Sequence, residues 1–499
     1  MAHAVESAGI SRRMLAQPTA PLYVERFCRN NIEGSKFSYL HLLRYNLASI
    51  LTLQRQGFIP RDRAQRIASA LLDLMRAGPA GIELDPALED IQPSVERVLI
   101  ERLGARDGGE VSLGRARFEF GYIGFYLAIR EQLLETCDKV LDATDALLRL
   151  ADAHRQSLAS YYTHHIRGEP ITLGYYFASI AEGFLASVER LAASYGRFGK
   201  SPAGIGQIVP TSFPLDRAHL AKLLGLEGTV KHSLYGYWNV DVLLDALGSA
   251  GLTAAGMGRF AFDLYWWSSS DLGLMKWGEE WTGGSFIMPQ KRNPSWLKPV
   301  RQAAIDATHA HAKATAEYLH TAPMLLVGLI EVPGLTHQGI DNLSYGMELL
   351  ANALPTMKLD VERGREQASS EFIQAAQLVH FLVKSGQASW RQAEVIVGKF
   401  IRDAIARGID AAGVRIGDLL RAAREEGIEI KMTQADLASC FDPAHIVLTR
   451  GDSGPAPASV ERACEEHREV VAQRRAWISD ERKRLAKVWE DLESAGRQV

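Results

Sequence analysis

Leucines recur every seven residues at Leu127, Leu134, Leu141 and Leu148, with Leu133, Val140 and Leu147 beside them. That spacing lays an apolar stripe along one side of a helix. Neither glycine nor proline falls between Gly124 and Gly168, so the pattern predicts a rod of ~40 residues, about 60 Å long. Gly168-Glu169-Pro170 breaks it. Rods of this length pack as bundles, and their broad apolar faces commonly continue into contacts between subunits. The same reading predicts helices over 40–56 and 61–76, with Gly57 and Pro60 at the link, and over 243–268, 375–383 and 390–407. A last helix over 459–492 is highly charged, with a solvated surface. No alternating strand series is visible. Glycine and proline punctuate 104–114, 283–294 and 451–457. The expected fold is all-α, with an N-terminal helical region (1–115), a central bundle of long helices (116–370) and a C-terminal helical region (371–499).

Composition narrows the possible partners. Of 499 residues, 47% are hydrophobic and 23% charged, enough apolar surface for a packed core. The net charge of −3 leaves no basic surplus to hold a nucleic acid. No apolar run approaches the ~18 residues of a membrane span; the most apolar stretch, 322–330, stops at Glu331. The first residues lack a basic segment followed by an apolar one, so a cytoplasmic location is expected. Cys28, Cys137, Cys440 and Cys464 are scattered without a CxxC pair, as free thiols of a reducing compartment would be.

The most informative stretch is Gly283-Gly284-Ser285-Phe286-Ile287-Met288-Pro289-Gln290-Lys291-Arg292-Asn293-Pro294. Its glycines free the backbone, its prolines fix the exits, and a hydroxyl, an ammonium and an amide lie within nine residues. That set suits recognition of a carboxylate. The GxxxxGK[ST] spacing of a phosphate-cradling loop is absent.

This stretch resembles the Gly-Ser-Ser-x-Met-Pro-x-Lys-x-Asn-Pro signature of the aspartase/fumarase superfamily, and its Pro-Gln-Lys form resembles the argininosuccinate lyase branch. Gly34-Ser35-Lys36, Glu89-Asp90-Ile91, Tyr162-Thr163-His164 with Arg167 and Pro170, Ile396-Val397-Gly398-Lys399, and Arg450-Gly451 extend the similarity along most of the chain. The resemblance implies a homotetramer whose active sites each draw on three subunits. It implies elimination of an amine from a succinyl compound, with release of fumarate and no metal or organic cofactor. By motif position Ser285 is the general base and His164 an acid/base or carboxylate-orienting group. Lys291 and Asn293 bind the substrate carboxylate, and Ser35, Asp90, Arg117 and Thr163 complete the binding set.

The departures from that pattern bear on the substrate. The family's Ser-Arg-Asn reads Ala116-Arg117-Phe118 here, its second loop serine is Phe286, and a histidine after Glu-Asp-Val is Gln92. Phenylalanine neither donates nor accepts a hydrogen bond. Lys298 stands where the family has a glutamate partner for the histidine at 164, and a lysine there repels a proton from the imidazole. At 326–334 the branch's polar segment is replaced by an apolar one, and no Lys or Arg occurs between Ala314 and Met357. Together with the aromatic residues Phe118, Phe286 and Trp296, this points to a less polar amine. The expected activity is thus a carbon–nitrogen lyase with an altered amine pocket. Alternatives are argininosuccinate lyase itself and a catalytically silent homologue.

Overall fold

The computed structural model describes residues 17–206, 209–213, 215–238, 240–319 and 327–499. The elements that position the site are α1 (Tyr39–Arg55), α2 (Arg61–Ala77), α3 (Ile91–Leu103), α4 (Arg117–Ala153), β1 (Leu158–Thr163), β2 (Ile166–Thr172), α5 (Leu173–Arg197), α6 (Asp241–Trp267), α7 (Leu297–Leu319) and α8 (Val327–Ala353). They continue with α9 (Val361–Ala368), α10 (Ala375–Lys384), α11 (Trp390–Ala406), α12 (Ile416–Glu425) and α13 (Pro457–Gln498). The fold is all-α in class. The rod α4 packs on α1, α5, α8 and α13, while α6, α7 and α8 pack on one another.

The rod is real but shorter than the glycine-free run predicts. It spans 37 residues and stops at Ala153, so Thr163 and His164 sit on a β-hairpin and not on a helix. The reason lies in the stripe: seven residues beyond Leu148 comes Arg155, and no apolar side chain continues the seam. The following Leu-Ala-Ser-Tyr-Tyr-Thr run is rich in strand-favouring aromatic and β-branched residues. β1 pairs antiparallel with β2, Thr163 opposite Ile166, with an irregularity between Ser160 and Tyr162. The chain returns into α5 tightly against the end of α4. A side chain at Gly174 would lie 2.5 Å from the Ala151 carbonyl. The remaining strands among the described residues are two-residue pairings.

The charged last helix is less solvated than its composition suggests. Cys464, Val471, Ile478, Leu485 and Leu492, seven apart, are buried against the bundle. Arg468, Arg475 and Arg482 keep the same period beside them. Arg468 pairs with Asp152, Arg475 with Asp145 (2.7 Å) and Asp142 (2.8 Å), and Arg482 with Asp138. As α13 advances its partners retreat along α4, so the two helices run antiparallel and in step. One large core draws on residues from Tyr39 to Met357 and again from Val460 to Leu492. A second core lies between Phe372 and Phe441. Among the described residues no helix is long and apolar enough to cross a membrane.

Ile478 is 1% exposed, so Ile478→Ala is expected to cost ~3 kcal/mol of stability. Arg475→Gln, removing a partly exposed ion pair, is expected to cost about 1 kcal/mol or less. Urea unfolding midpoints at one fixed protein concentration measure both.

Candidate active site

At the start of α4 the structure gathers one group of predicted residues. Arg117, the first residue of α4, forms an ion pair with Asp90 and donates to Glu89 Oε2 at 2.9 Å. Asp90 immediately precedes α3. Burial pushes its carboxyl up from the ordinary value, against the pull of the Arg117 charge. Ser35 ends the short helix Arg29–Ser35 and donates to the Asn31 carbonyl at 2.7 Å. Asn31 donates in turn to the Glu89 carbonyl at 3.0 Å. Ser35, Asp90 and Arg117 therefore share one corner. Phe118 stacks on Tyr122 (centroids 5.5 Å apart) and meets Tyr237 edge-on at 5.4 Å.

Beneath that corner runs a buried polar network that the sequence does not disclose. Gln92 accepts from Asn46 Nδ2 at 2.8 Å. Asn46 Oδ1 and Ser49 Oγ accept from Arg115 at 3.1 and 2.9 Å. Glu119, 1% exposed, accepts from the Tyr45 hydroxyl and from the Gly204 N–H. The only sequence signal is a pair of charges, Arg115 and Glu119, bracketing Arg117 at i±2 on an otherwise apolar helix start.

Thr163 and His164 form the hairpin tip. His164 and His165 adopt φ of 53° and 62°, as a two-residue turn of this hand requires. Left-handed backbone costs a residue with a Cβ ~1–2 kcal/mol, so two consecutive histidines here mark a strained turn. The His165 ring lies 4.0 Å from that of Trp266, at the end of α6, and Tyr162 lies 5.1 Å from the same ring. Both anchor the tip, and the His164 side chain is exposed.

The loop 283–294 is closed at its base by reciprocal backbone bonds between Gly283 and Asn293, 2.9 and 2.8 Å. A Cβ on Gly283 would lie 2.0 Å from Ser295 Oγ, so the closure needs glycine. The Asn293 amide donates to the Gly284 carbonyl at 3.3 Å. Ser285 Oγ accepts from the Met288 N–H at 3.2 Å. A donor aimed at that oxygen favours its ionised form. Phe286 is fully exposed and Ile287 is 85% exposed at the tip. Lys291 and Lys298 have no ion-pair partner among the described residues. Trp296, one of the aromatic departures, is buried at the loop base, edge-on to Trp277 at 4.8 Å and Trp281 at 5.9 Å. Trp277 donates to Ser268 Oγ at 2.9 Å, which ties the loop to the end of α6. The altered distal stretch begins at Leu326, outside the described residues; α8 starts at Val327.

One protomer does not bring these groups together. Arg117 opens α4 and the hairpin follows its end. The 37 residues between span about 55 Å. The Ser285 loop and the hairpin share the far end, both tied to the last turn of α6.

A family described as Lyase matches residues 27–308, more than half of the chain. The chain belongs to this lyase family. It is an enzyme, a fumarate-forming carbon–nitrogen lyase, and a divergent member of the aspartase/fumarase superfamily on its argininosuccinate lyase branch. It is 28% identical over 453 residues to argininosuccinate lyase 1 of Shouchella clausii, covering 89% of this chain and 90% of that one. It is 30% identical over 444 residues to argininosuccinate lyase of Methanosphaerula palustris, covering 88% of each. A crystal structure of EDDS lyase in complex with formate superposes with a TM-score of 0.86 at 25% identity, covering 97% of this chain and 96% of that one.

Arg117→Ala leaves burial and the neighbouring Glu89 charge to push the Asp90 carboxyl further up, opposed only by the Gln92 backbone N–H. The penalty for an ionised Asp90 is fully present above the raised value and is lost as pH falls from there to the ordinary carboxylate value. The variant is expected to lose about 1–2 kcal/mol at pH 8, between an exposed pair and a buried one. That deficit shrinks toward pH 4, as urea midpoints at the two pH values measure.

Proposed function

We propose that the chain eliminates an amine from an N-substituted aspartate, in sites assembled between copies of itself, and that the amine is less polar than arginine. The observation that carries this reading is the closed loop 283–294, which presents a serine whose oxygen already receives a backbone N–H, with the Lys291 ammonium, without an ion-pair partner among the described residues, in the same loop. Ser285 takes the Cβ proton next to a carboxylate. The electron pair moves into that carboxylate as a dianionic aci-form, and Lys291 and Asn293 stabilise the charge as it develops. The aci-carboxylate pair then collapses to form the Cα=Cβ bond of fumarate as the C–N bond breaks; that bond's electron pair leaves with nitrogen, and His164 or Lys298 supplies the proton that nitrogen takes up. Arg117 with Ser35 and Thr163 holds the second carboxylate, Asp90 fixing the guanidinium.

Assembly between copies is supported by the length of α4 and by exposed apolar side chains on three mutually packed helices. These are Leu252 and Phe262 on α6, Ile305 on α7 and Tyr345 on α8. Faces of this kind suit a homotetramer built around the bundle. A cytoplasmic location is supported by four buried, unpaired cysteines, which fit a reducing compartment.

The altered amine pocket is supported by Phe118, packed among tyrosines next to Arg117, and by Phe286 at the loop tip. It is also supported by the absence of any Lys or Arg between Ala314 and Met357. A close structural neighbour named for another substrate, EDDS lyase, fits a branch that varies its amine. Argininosuccinate lyase itself is the second reading, favoured by the names of the sequence relatives.

Fumarate absorbs in the ultraviolet, so turnover is read directly. Fumarate is incubated with a panel of amines and the adducts are weighed by mass spectrometry. An apolar amine is expected to react and arginine to react poorly; arginine as the best partner supports the second reading, and no adduct from any amine supports a silent homologue. Ser285→Ala is expected to lower turnover by at least ~10³-fold with the assembly intact; full activity overturns the mechanism. Lys298→Glu restores an acidic partner for the imidazole and, with His164 as the proton donor, is expected to move the alkaline limb of the kcat–pH profile to higher pH.

A further inference from the structure

The hairpin that carries Thr163 and His164 is gripped by chain segments that border or belong to the second core. Arg167 of β2 forms an ion pair with Glu371. Glu169, also on β2, accepts from Arg450 Nη2 at 2.9 Å, and Arg450 donates to His380 Nδ1 on α10 at 3.1 Å. From the other strand, the Tyr162 hydroxyl donates to Gln367 Oε1 at 3.4 Å.

The gripping residue is itself held in strain. Glu371 and Phe372 adopt φ of 57° and 56°, and His164 and His165 do the same at the hairpin tip. Bulky residues keep such a backbone only where their surroundings enforce it. Phe372 is buried in the second core, its ring edge-on to Phe441 at 6.1 Å. Burial of that ring fixes the turn and aims the Glu371 carboxylate at Arg167. Two turns of consecutive left-handed residues are thus joined through one ion pair. Arg167 lies three residues beyond His164 and pairs across the hairpin with Tyr162. Its Nε is buried without a hydrogen-bond partner among the described residues.

We propose that Glu371, acting through Arg167, is a positioning residue for His164, so that the second core sets the angle at which the hairpin presents the imidazole. This rests on the reading of His164 as a participant in the elimination. The Glu371 side chain is 55% exposed, and an ion pair open to water on one side adds little to global stability. A small displacement of an acid or base from its substrate is costly in rate. Stability and turnover therefore separate.

The test uses Glu371→Gln and Glu371→Asp in the full chain. Hydrogen exchange of the peptide covering 158–172 is expected to be about 10-fold faster in Glu371→Gln, with the peptide over 127–148 and the Tm unchanged. In the elimination assay kcat is expected to fall about 10-fold, more than KM rises, and Glu371→Asp to recover to within about 3-fold of the parent. Unchanged exchange at 158–172 overturns the proposal whether or not the chain turns substrate over. Faster exchange with unchanged kcat overturns the positioning role. A parent protein that forms no fumarate overturns the proposed function, and with it the role for His164, while the exchange result still decides whether Glu371 holds the hairpin.

Discussion

The rod α4 is the constraint on which the other parts depend. Its length places Arg117 with Asp90 about 55 Å from the hairpin and the Ser285 loop. Its stiffness comes from burial on several sides and from the α13 ladder, where Arg468, Arg475 and Arg482 meet aspartates of α4 in seven-residue steps. Each of those pairs is individually weak because its ends are partly wet. Their common period locks the register of two antiparallel helices, a geometric role that single energies understate. A rod that cannot bend its two ends together is the physical reason for proposing that copies of the chain join these groups into one site.

The segments proposed for the active site are two loops and a helix start, and each is anchored by something rigid behind it. The hairpin tip rests on Trp266, the loop 283–294 rests on the Trp277–Trp296 pair, and Arg117 stands over the Gln92–Asn46–Arg115 network. Chemistry at a solvent-facing loop needs such support, because a general base or a carboxylate ligand works only when held within a fraction of an ångström of its position. The strained turns at 164–165 and 371–372 belong to the same logic. Their cost is borne by packing elsewhere, and both lie next to residues assigned to the reaction.

The departures from the family's pattern sort by environment. Gln92 is absorbed into the buried network as an acceptor for Asn46, and Trp296 is a packing residue. Phe118 packs among tyrosines beside Arg117, Phe286 is open to water at the loop tip, and Lys298 has no ion-pair partner among the described residues. The first two replacements belong to the scaffold; the other three lie beside Arg117, at the tip of the loop 283–294 and just past its end, the segments proposed to meet the substrate.

Periodicity alone determined the helices. The predicted 40–56, 61–76, 243–268 and 390–407 match α1, α2, α6 and α11 to within a few residues, because side-chain spacing on a helix is a local property. The loop 283–294 was legible for a similar reason, since glycine and proline restrict the backbone wherever they occur. The end of the rod was not. Absence of glycine and proline permits a helix without enforcing one, and only tertiary packing decided that the chain should leave the core at Ala153 and form a hairpin. The pairing of the last helix's arginines with aspartates of α4 and the Arg167–Glu371 pairing were equally hidden. Both depend on contacts between residues hundreds of positions apart, and such contacts leave no signature in local spacing.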